Sequence, residues 1–150
     1  MAGRFFDEWA VGDRITHDIR RTVTETDNLL ITTLTHNPQP LHLDADYAAG
    51  TEFGCIVVNG TFTFALTVGL SVGDTTLGVL VANLGYDKVV MPKPVFVGDT
   101  LRVETEVTAL RPSGSRPDAG IVTFEHTTLN QRGETVCKML RTALLQRRPA

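Results

Sequence analysis

Cysteine is nearly missing from this chain: only Cys55 and Cys137 occur among its 150 residues, and they form no CxxC pair. That speaks against a disulfide framework and a thiolate metal site, and it makes a reducing compartment the default. Basic charge is equally short. Lys and Arg number 14 against 17 Asp and Glu, for a formal charge of −3, and they are dispersed apart from Arg20-Arg21 and Arg147-Arg148. With no stripe of the kind that neutralises duplex phosphates, nucleic acid is not an expected partner. No apolar run approaches the roughly 18 residues of a membrane span. The opening Met1-Ala2-Gly3-Arg4-Phe5-Phe6-Asp7-Glu8-Trp9 lacks the apolar segment of a signal peptide. The expectation is a soluble, cytoplasmic protein with no membrane partner. Internal repeats, low-complexity tracts and blocks of like charge are also lacking. What is present is a 42% hydrophobic content, ample for one core, in a length that fits a single domain over 1–150 with no room for a separate cofactor domain.

Read along the chain, the patterning changes once. After the aromatic lead-in of Phe5, Phe6 and Trp9 and the turn Val11-Gly12-Asp13, residues 15–23 alternate as an edge strand would. Thr24 or Thr26 caps a short helix over 27–34, with Asp27 near its positive end. A proline-rich loop follows. Asp44 is a good N-cap for a helical turn over 45–49, and 51–58 reads as extended and apolar, with Cys55 as a small buried hydrophobe. From Asn59 or Gly60 to about Leu70 the residues are apolar nearly all round, which predicts a helix buried inside the fold. The second half is strand signal over 78–90, 100–110, 121–130 and 134–146, read as antiparallel hairpins. The 111–118 segment is the most flexible by composition and is expected to be a hairpin connection. A long antiparallel sheet around one apolar helix, an α+β arrangement, leaves an edge that a second copy would cover, so a homodimer is expected.

The most informative stretch is Asn37-Pro38-Gln39-Pro40-Leu41-His42-Leu43-Asp44, followed 17 residues after His42 by Asn59-Gly60 at the start of the apolar helix. Two prolines stiffen the loop and fix where its side chains project. Histidine titrates nearest neutrality, and amides and a carboxylate stand on either side of it, which is the composition of an acid/base site.

These residues carry a resemblance. The chain resembles the MaoC-like, (R)-specific enoyl-CoA hydratases, whose signature looks like Gly-Asp-x-Asn-Pro-x-His-x-Asp, then a Phe, then Ile-x-His-Gly. Here it reads His36-Asn37-Pro38-Gln39-Pro40-Leu41-His42-Leu43-Asp44, then Phe53, Ile56 and Asn59-Gly60. The Phe-Phe-Asp-Glu-Trp lead and the Pro94-Val95-Phe96-Val97-Gly98-Asp99 turn are similar to further family features, so the likeness covers nearly the whole chain. It implies a hot-dog fold, in which an antiparallel sheet wraps a central helix, assembled as a dimer or a higher homo-oligomer. It also implies an acyl-CoA substrate with no metal or redox cofactor. The Asn-Pro-Gln-Pro-Leu-His form of the loop is similar to a branch acting on carboxylated C5 thioesters such as itaconyl-CoA or mesaconyl-CoA.

The departures fall on chemistry. The family's acid/base pair is an Asp and a His, and the Asp position falls on Asn37 while His42 is kept. An amide does not exchange a proton under ordinary conditions. The motif Asn becomes Gln39, and the His of the His-Gly pair becomes Asn59. Gly60 matches the position whose backbone N–H holds the thioester oxygen, a donor of a kind worth about 3 kcal/mol in other enzymes. Three arrangements are open for proton transfer: His42 alone, Asp44 standing in as the carboxylate against its role as a cap, or His36 assisting. Asn37 joins His42, Gly60 and Asp44 as a candidate catalytic residue, and His36, Gln39, Asn59 and Phe62 are candidate substrate contacts. Phe62 and Phe64 either line an acyl tunnel or fill the core. Lys88, Lys93 and Arg102 either meet coenzyme A phosphates or are surface charges. A neutral Asn37 would relieve repulsion with a substrate carboxylate, which His36 would be free to contact. Many hot-dog thioesterases carry an acid on the central helix, and 59–73 has none. A non-catalytic acyl-CoA binding or regulatory protein is the alternative outside enzymes.

Overall fold

The computed structural model describes residues 3–149. Its strands are β1 (Arg14–Thr16), β2 (Arg21–Thr22), β3 (Leu80–Val90), β4 (Thr100–Pro112), β5 (Ala119–Leu129) and β6 (Thr135–Gln146). Its helices are α1 (Glu25–Leu34), α2 (Ala45–Ala49) and α3 (Gly60–Thr75), with single 3-10 turns at Phe6–Glu8 and Pro40–His42. All pairings are antiparallel, in the order β1-β4-β5-β6-β3, with β2 also on β4. The class is α+β, with α3 packed across the sheet against β4, β5 and β6.

Local chemistry accounts for the helix starts. Thr24 accepts from the Asp27 N–H while the Asp27 carboxylate takes the Thr24 N–H, a reciprocal cap of a kind worth about 1 kcal/mol. Asp44 caps α2 by accepting from the Tyr47 N–H at 3.0 Å. Asn59 caps α3 through the Thr61 N–H at 3.0 Å and the Thr61 hydroxyl at 2.7 Å.

Four expectations need correction. The strand foreseen over 15–23 is two short strands, because the chain bends after Thr16 and turns His17 into the interior; both pieces do lie on the β4 edge. The 78–90 strand forms no hairpin with its successor. It pairs with β6 at the far side of the sheet, and residues 91–99 carry the chain back across, bridging Val57 to Phe96 on the way. The 51–58 segment is extended only at its end. Thr51 accepts from the Phe53 N–H and Gly54 sits at a φ of 69°, so the chain turns and leaves Cys55 exposed rather than buried. Finally, α3 is not wrapped on all sides. Its fully buried positions are Thr63, Thr67, Leu70, Ser71 and Thr75, while Ala65 and Gly69 are exposed and Phe62, Phe64 and Val68 are half-buried. Small hydroxyls let the helix approach the sheet closely and bond back to its own carbonyls, so the face that meets the sheet is polar in name but satisfied.

The 113–118 segment is the β4–β5 connection. Two apolar clusters fill the core. Trp9, Val107, Val122, Phe124, Ala143 and Leu145 form one, with the Trp9 ring edge-on to Phe124 at 5.3 Å. Val23, Val58, Val95, Leu101 and Val136 form the other, against which Phe62 and Leu66 pack. Phe6 of the lead-in lies over Gly120, where a Cβ would stand 2.4 Å from the ring, so the aromatic lead and this glycine require each other.

Beneath the last turn of α3 runs a buried polar chain. His17 Nδ1 meets Asp74 at 2.8 Å, its Nε2 meets the Thr105 hydroxyl at 2.8 Å, and that hydroxyl meets His126 Nδ1 at 2.8 Å. The order that satisfies it is His126 Nδ1–H donating to Thr105 and the Thr105 O–H donating to His17. Burial, followed by the charge of Arg141, holds the His126 pKa down at about 3. Along β3, register shifts and Lys88 at a φ of 50° twist an outer edge that no described strand covers, and Leu84, Val89 and Val90 are exposed there.

Candidate active site

The proline-rich loop delivers His42 at the end of a 3-10 turn, with the His42 N–H bonded to the Gln39 carbonyl at 3.1 Å. Its imidazole Nδ1 lies 2.7 Å from the Val57 carbonyl oxygen. A carbonyl only accepts, so Nδ1 carries the proton and Nε2 presents a lone pair, the arrangement of a base. The loop is tied to the same segment once more, by the Val57 N–H to the Leu41 carbonyl at 3.2 Å.

Gly60 opens α3 beside it. The Thr61 N–H is taken by the Asn59 side chain and the Phe62 N–H by the Asn59 carbonyl, whereas the Gly60 N–H has no acceptor among the described residues. A free N–H at the positive end of a 16-residue helix is a ready donor to a developing oxyanion. A Cβ on Gly60 would come 2.6 Å from the Met91 sulfur, so glycine also leaves room for that thioether.

His42 stands between two cavities. One, of about 390 Å³, is lined by His42 and Gly60 together with Phe53, Thr63, Met91 and Lys93, among others. The other, of about 520 Å³, places His42 with Glu25, Asn28, Leu29, Cys55, Ile56 and Phe96 among its walls. Their electrostatics differ: the smaller has one charged wall residue, the cation Lys93, and the larger has one, the carboxylate of Glu25. Lys93 Nζ is 2.5 Å from Glu134, which also accepts from Asn130 and Arg132, each at 2.8 Å. Those three partners, Asn130 foremost, hold the Glu134 pKa at about 2.

The structure thus brings His42 and Gly60 to one cavity, with Asn59 as the cap directly before Gly60. Of the other sequence candidates, Lys93 lines the smaller cavity, whereas Asn37, His36, Gln39, Asp44 and Phe62 sit outside both cavity walls. Asn37 is half-buried, and its Oδ1 accepts from the Gln39 N–H at 3.0 Å, a local turn that engages the amide oxygen. His36 is exposed at a φ of 53°, where the chain leaves α1, and Gln39 is exposed. The Asp44 carboxylate caps α2, and Phe62 packs on the core. Sequence reasoning passed over Glu25 and Asn28. Asn28 is legible only as an oddity, a weak helix former placed one turn after a helix start. Among the described residues there is no group of three or more His, Cys, Asp or Glu able to hold a metal, and no helix long and apolar enough to cross a membrane.

Comparison with known proteins agrees with this architecture. A family profile described as "MaoC like domain" matches residues 7–130. The chain is 35% identical over 147 residues to a mesaconyl-CoA hydratase of Cereibacter sphaeroides, covering 98% of this chain and 42% of that protein. It superimposes on a MaoC-like dehydratase from Rhodospirillum rubrum with a TM-score of 0.85 and 37% identity, covering 99% of this chain and 100% of the other. A Mycobacterium tuberculosis protein with a double hotdog fold matches at a TM-score of 0.85 and 25% identity, over 98% of this chain and 45% of that one. The hot-dog architecture follows from these likenesses. The chain spans about two fifths of the length of this relative and of three other curated relatives it matches.

Proposed function

The chain belongs to the MaoC-like dehydratase family, matched across residues 7–130, and on that basis we propose that it adds water to an enoyl-CoA thioester or removes it from the hydroxyacyl product. The observation that carries the reading is the pairing of a His42 Nε2 lone pair with an unoccupied Gly60 N–H on one cavity. Hydration needs a base for water, a donor for the thioester oxygen while it carries enolate charge, and an acid for the α-carbon. His42 Nε2 takes a proton from water as its oxygen attacks the β-carbon. The electron pair moves to the thioester oxygen, which the Gly60 N–H and the start of α3 stabilise. Collapse of the enolate then draws the same proton from the imidazolium to the α-carbon, so one histidine supplies both steps without the carboxylate that Asn37 replaces.

The finer reading is a branched, carboxylated C5 acyl group. Its support is the likeness to a mesaconyl-CoA hydratase, together with Lys93, the one cation in the walls of either cavity. Glu134 keeps Arg132 and Asn130 if Lys93 turns to a substrate carboxylate, so the exchange strands no charge. The wild-type protein is expected to turn over mesaconyl-CoA or itaconyl-CoA faster than crotonyl-CoA, and Lys93→Gln to raise KM for the carboxylated thioester about tenfold, a charged hydrogen bond's worth, with no change for crotonyl-CoA. Equal loss on both thioesters assigns Lys93 to the coenzyme A portion instead, and a wild-type preference for crotonyl-CoA sinks the carboxylate reading. Binding of every thioester without turnover of any would favour an acyl-CoA binding protein.

A second copy paired along the outer edge of β3 belongs to the same proposal, since that edge and its apolar side chains are otherwise open. Sedimentation velocity at micromolar concentration should give twice the 16.4 kDa chain mass or a multiple of that. A species at the single-chain mass would count against it.

A further inference from the structure

A single buried amide joins the two halves of the site. Asn28 on α1 is 3% exposed. Its Nδ2 donates to the His42 carbonyl at 2.9 Å, and its Oδ1 accepts the Asn59 N–H at 2.9 Å. One acceptor therefore belongs to the residue carrying the base, and one donor to the residue directly before Gly60. We propose that Asn28 is a positioning residue that fixes the base and the oxyanion donor relative to each other, an inference that rests on the hydration reading above.

The rest of α1 is arranged for this task. A helix on a globular core ordinarily turns its apolar stripe inwards, but the buried residues of α1 are Asn28 and Thr32, while Leu29, Leu30 and Leu34 are exposed. Thr32, one turn on, receives the Asn59 Nδ2 at 3.2 Å, so α1 holds the α3 cap by its main chain and its side chain together. The face of α1 that meets the site is a hydrogen-bonding face.

Asparagine is required by inventory. The position needs one donor and one acceptor on a short planar group, which among side chains of this length only asparagine offers. Aspartate keeps the shape and the acceptor for Asn59 but sets a carboxylate oxygen against the His42 carbonyl. Alanine removes both links and leaves a buried carbonyl and N–H unpaired. Although Asn28 borders the larger cavity, both ends of its amide are engaged with the backbone, so it acts through His42 and Asn59 and not on substrate.

The test compares Asn28→Asp and Asn28→Ala with wild type on the best thioester, following kcat, KM, the pH profile of kcat and the ¹⁵N signals of the His42 ring, all well below each variant's Tm. For Asn28→Asp the expected result is a kcat lowered roughly 10²-fold, as for a displacement of about 1 Å at a reacting group, with KM within about twofold of wild type. The pH profile should shift and the protonated Nδ1 signal of His42 should weaken. In a His42→Ala background the same change should cost far less than in wild type, because the base is gone and only the Gly60 donor is left to place. Asn28→Ala follows the same course and stands in if the aspartate variant does not fold. A lower Tm with unchanged kcat, pH profile and ring signals overturns the proposal, as does an additive loss in the double variant. If wild type is inert towards every thioester, the hydration reading fails by itself, and the His42 ring signals still decide whether Asn28 holds that residue in place.

Discussion

Replacement of His42 by alanine is expected to lower kcat/KM for the preferred enoyl thioester by about 10²–10⁴-fold, the span that general acid–base catalysis contributes. The loss should be at the upper end because one imidazole is assigned both proton steps. Among the residues lining the cavity shared with Gly60 there is no carboxylate and no second histidine. Glu25 is the one acid in the walls of the other cavity that His42 borders. The Gly60 N–H is untouched by the substitution, so substrate binding should persist and the loss should fall on kcat. The enoyl thioester absorbance reports this directly. A His42→Ala protein with more than a tenth of wild-type kcat/KM would remove His42 from the centre of the reaction and send attention to Glu25.

Acid should destabilise the fold well before its carboxylates titrate. His126 is fully buried, with Nδ1 on Thr105 and Nε2 without a partner among the described residues, and its folded pKa of about 3 lies below the ordinary 6.5. A histidine with a depressed folded pKa favours the unfolded chain once protonation is possible there. The stability tied to its neutral form is complete above the unfolded value of 6.5 and is lost progressively as pH falls towards 3. The limiting slope is about 1.4 kcal/mol per pH unit, which integrates to about 2 kcal/mol between pH 7 and pH 5. That interval separates the effect from the lowered carboxylates, Asp27 and Glu134 among them, which titrate in the unfolded chain only near their ordinary values of 3.8 and 4.5, and the His126 variant separates it from the other histidines. Urea unfolding at pH 7, 6 and 5 should show the slope, and His126→Gln should flatten it. A wild-type curve level over that range would mean that the interior admits the charged ring.

Much of the fold was legible because its signals are local. Alternation gave the long strands to within a few residues, Thr24 and Asp44 act as the caps their positions predict, and Asn59-Gly60 opens the main helix. The misses are long-range. Whether β3 pairs with β4 or β6 depends on a crossover that no short window contains. The buried face of α3 is made of hydroxyls that score as indifferent in any periodicity, and so the helix read as oily on all sides. The site shows the same division. His42 and Gly60 stand out through the spacing of a loop and a helix start, whereas Asn28 does its work across 14 and 31 residues of sequence to two backbone atoms, and backbone atoms leave no trace in composition. Asn37 shows the opposite case, a conspicuous motif position whose amide oxygen turns to its own loop.

The hydroxyl stripe of α3 also sets where that helix stands along its axis. Thr67 meets the Thr128 hydroxyl of β5 at 2.6 Å while bonding its own Thr63 carbonyl at 2.8 Å. Contacts between smooth apolar surfaces change little when one slides along the other, but a hydroxyl pair is lost within a fraction of an ångström. α3 is therefore indexed against the sheet two turns inside its first residue, and the position of the Gly60 N–H along the helix axis is inherited from that index. Loops around the two cavities can then vary in length and side chain while that N–H stays at a fixed elevation.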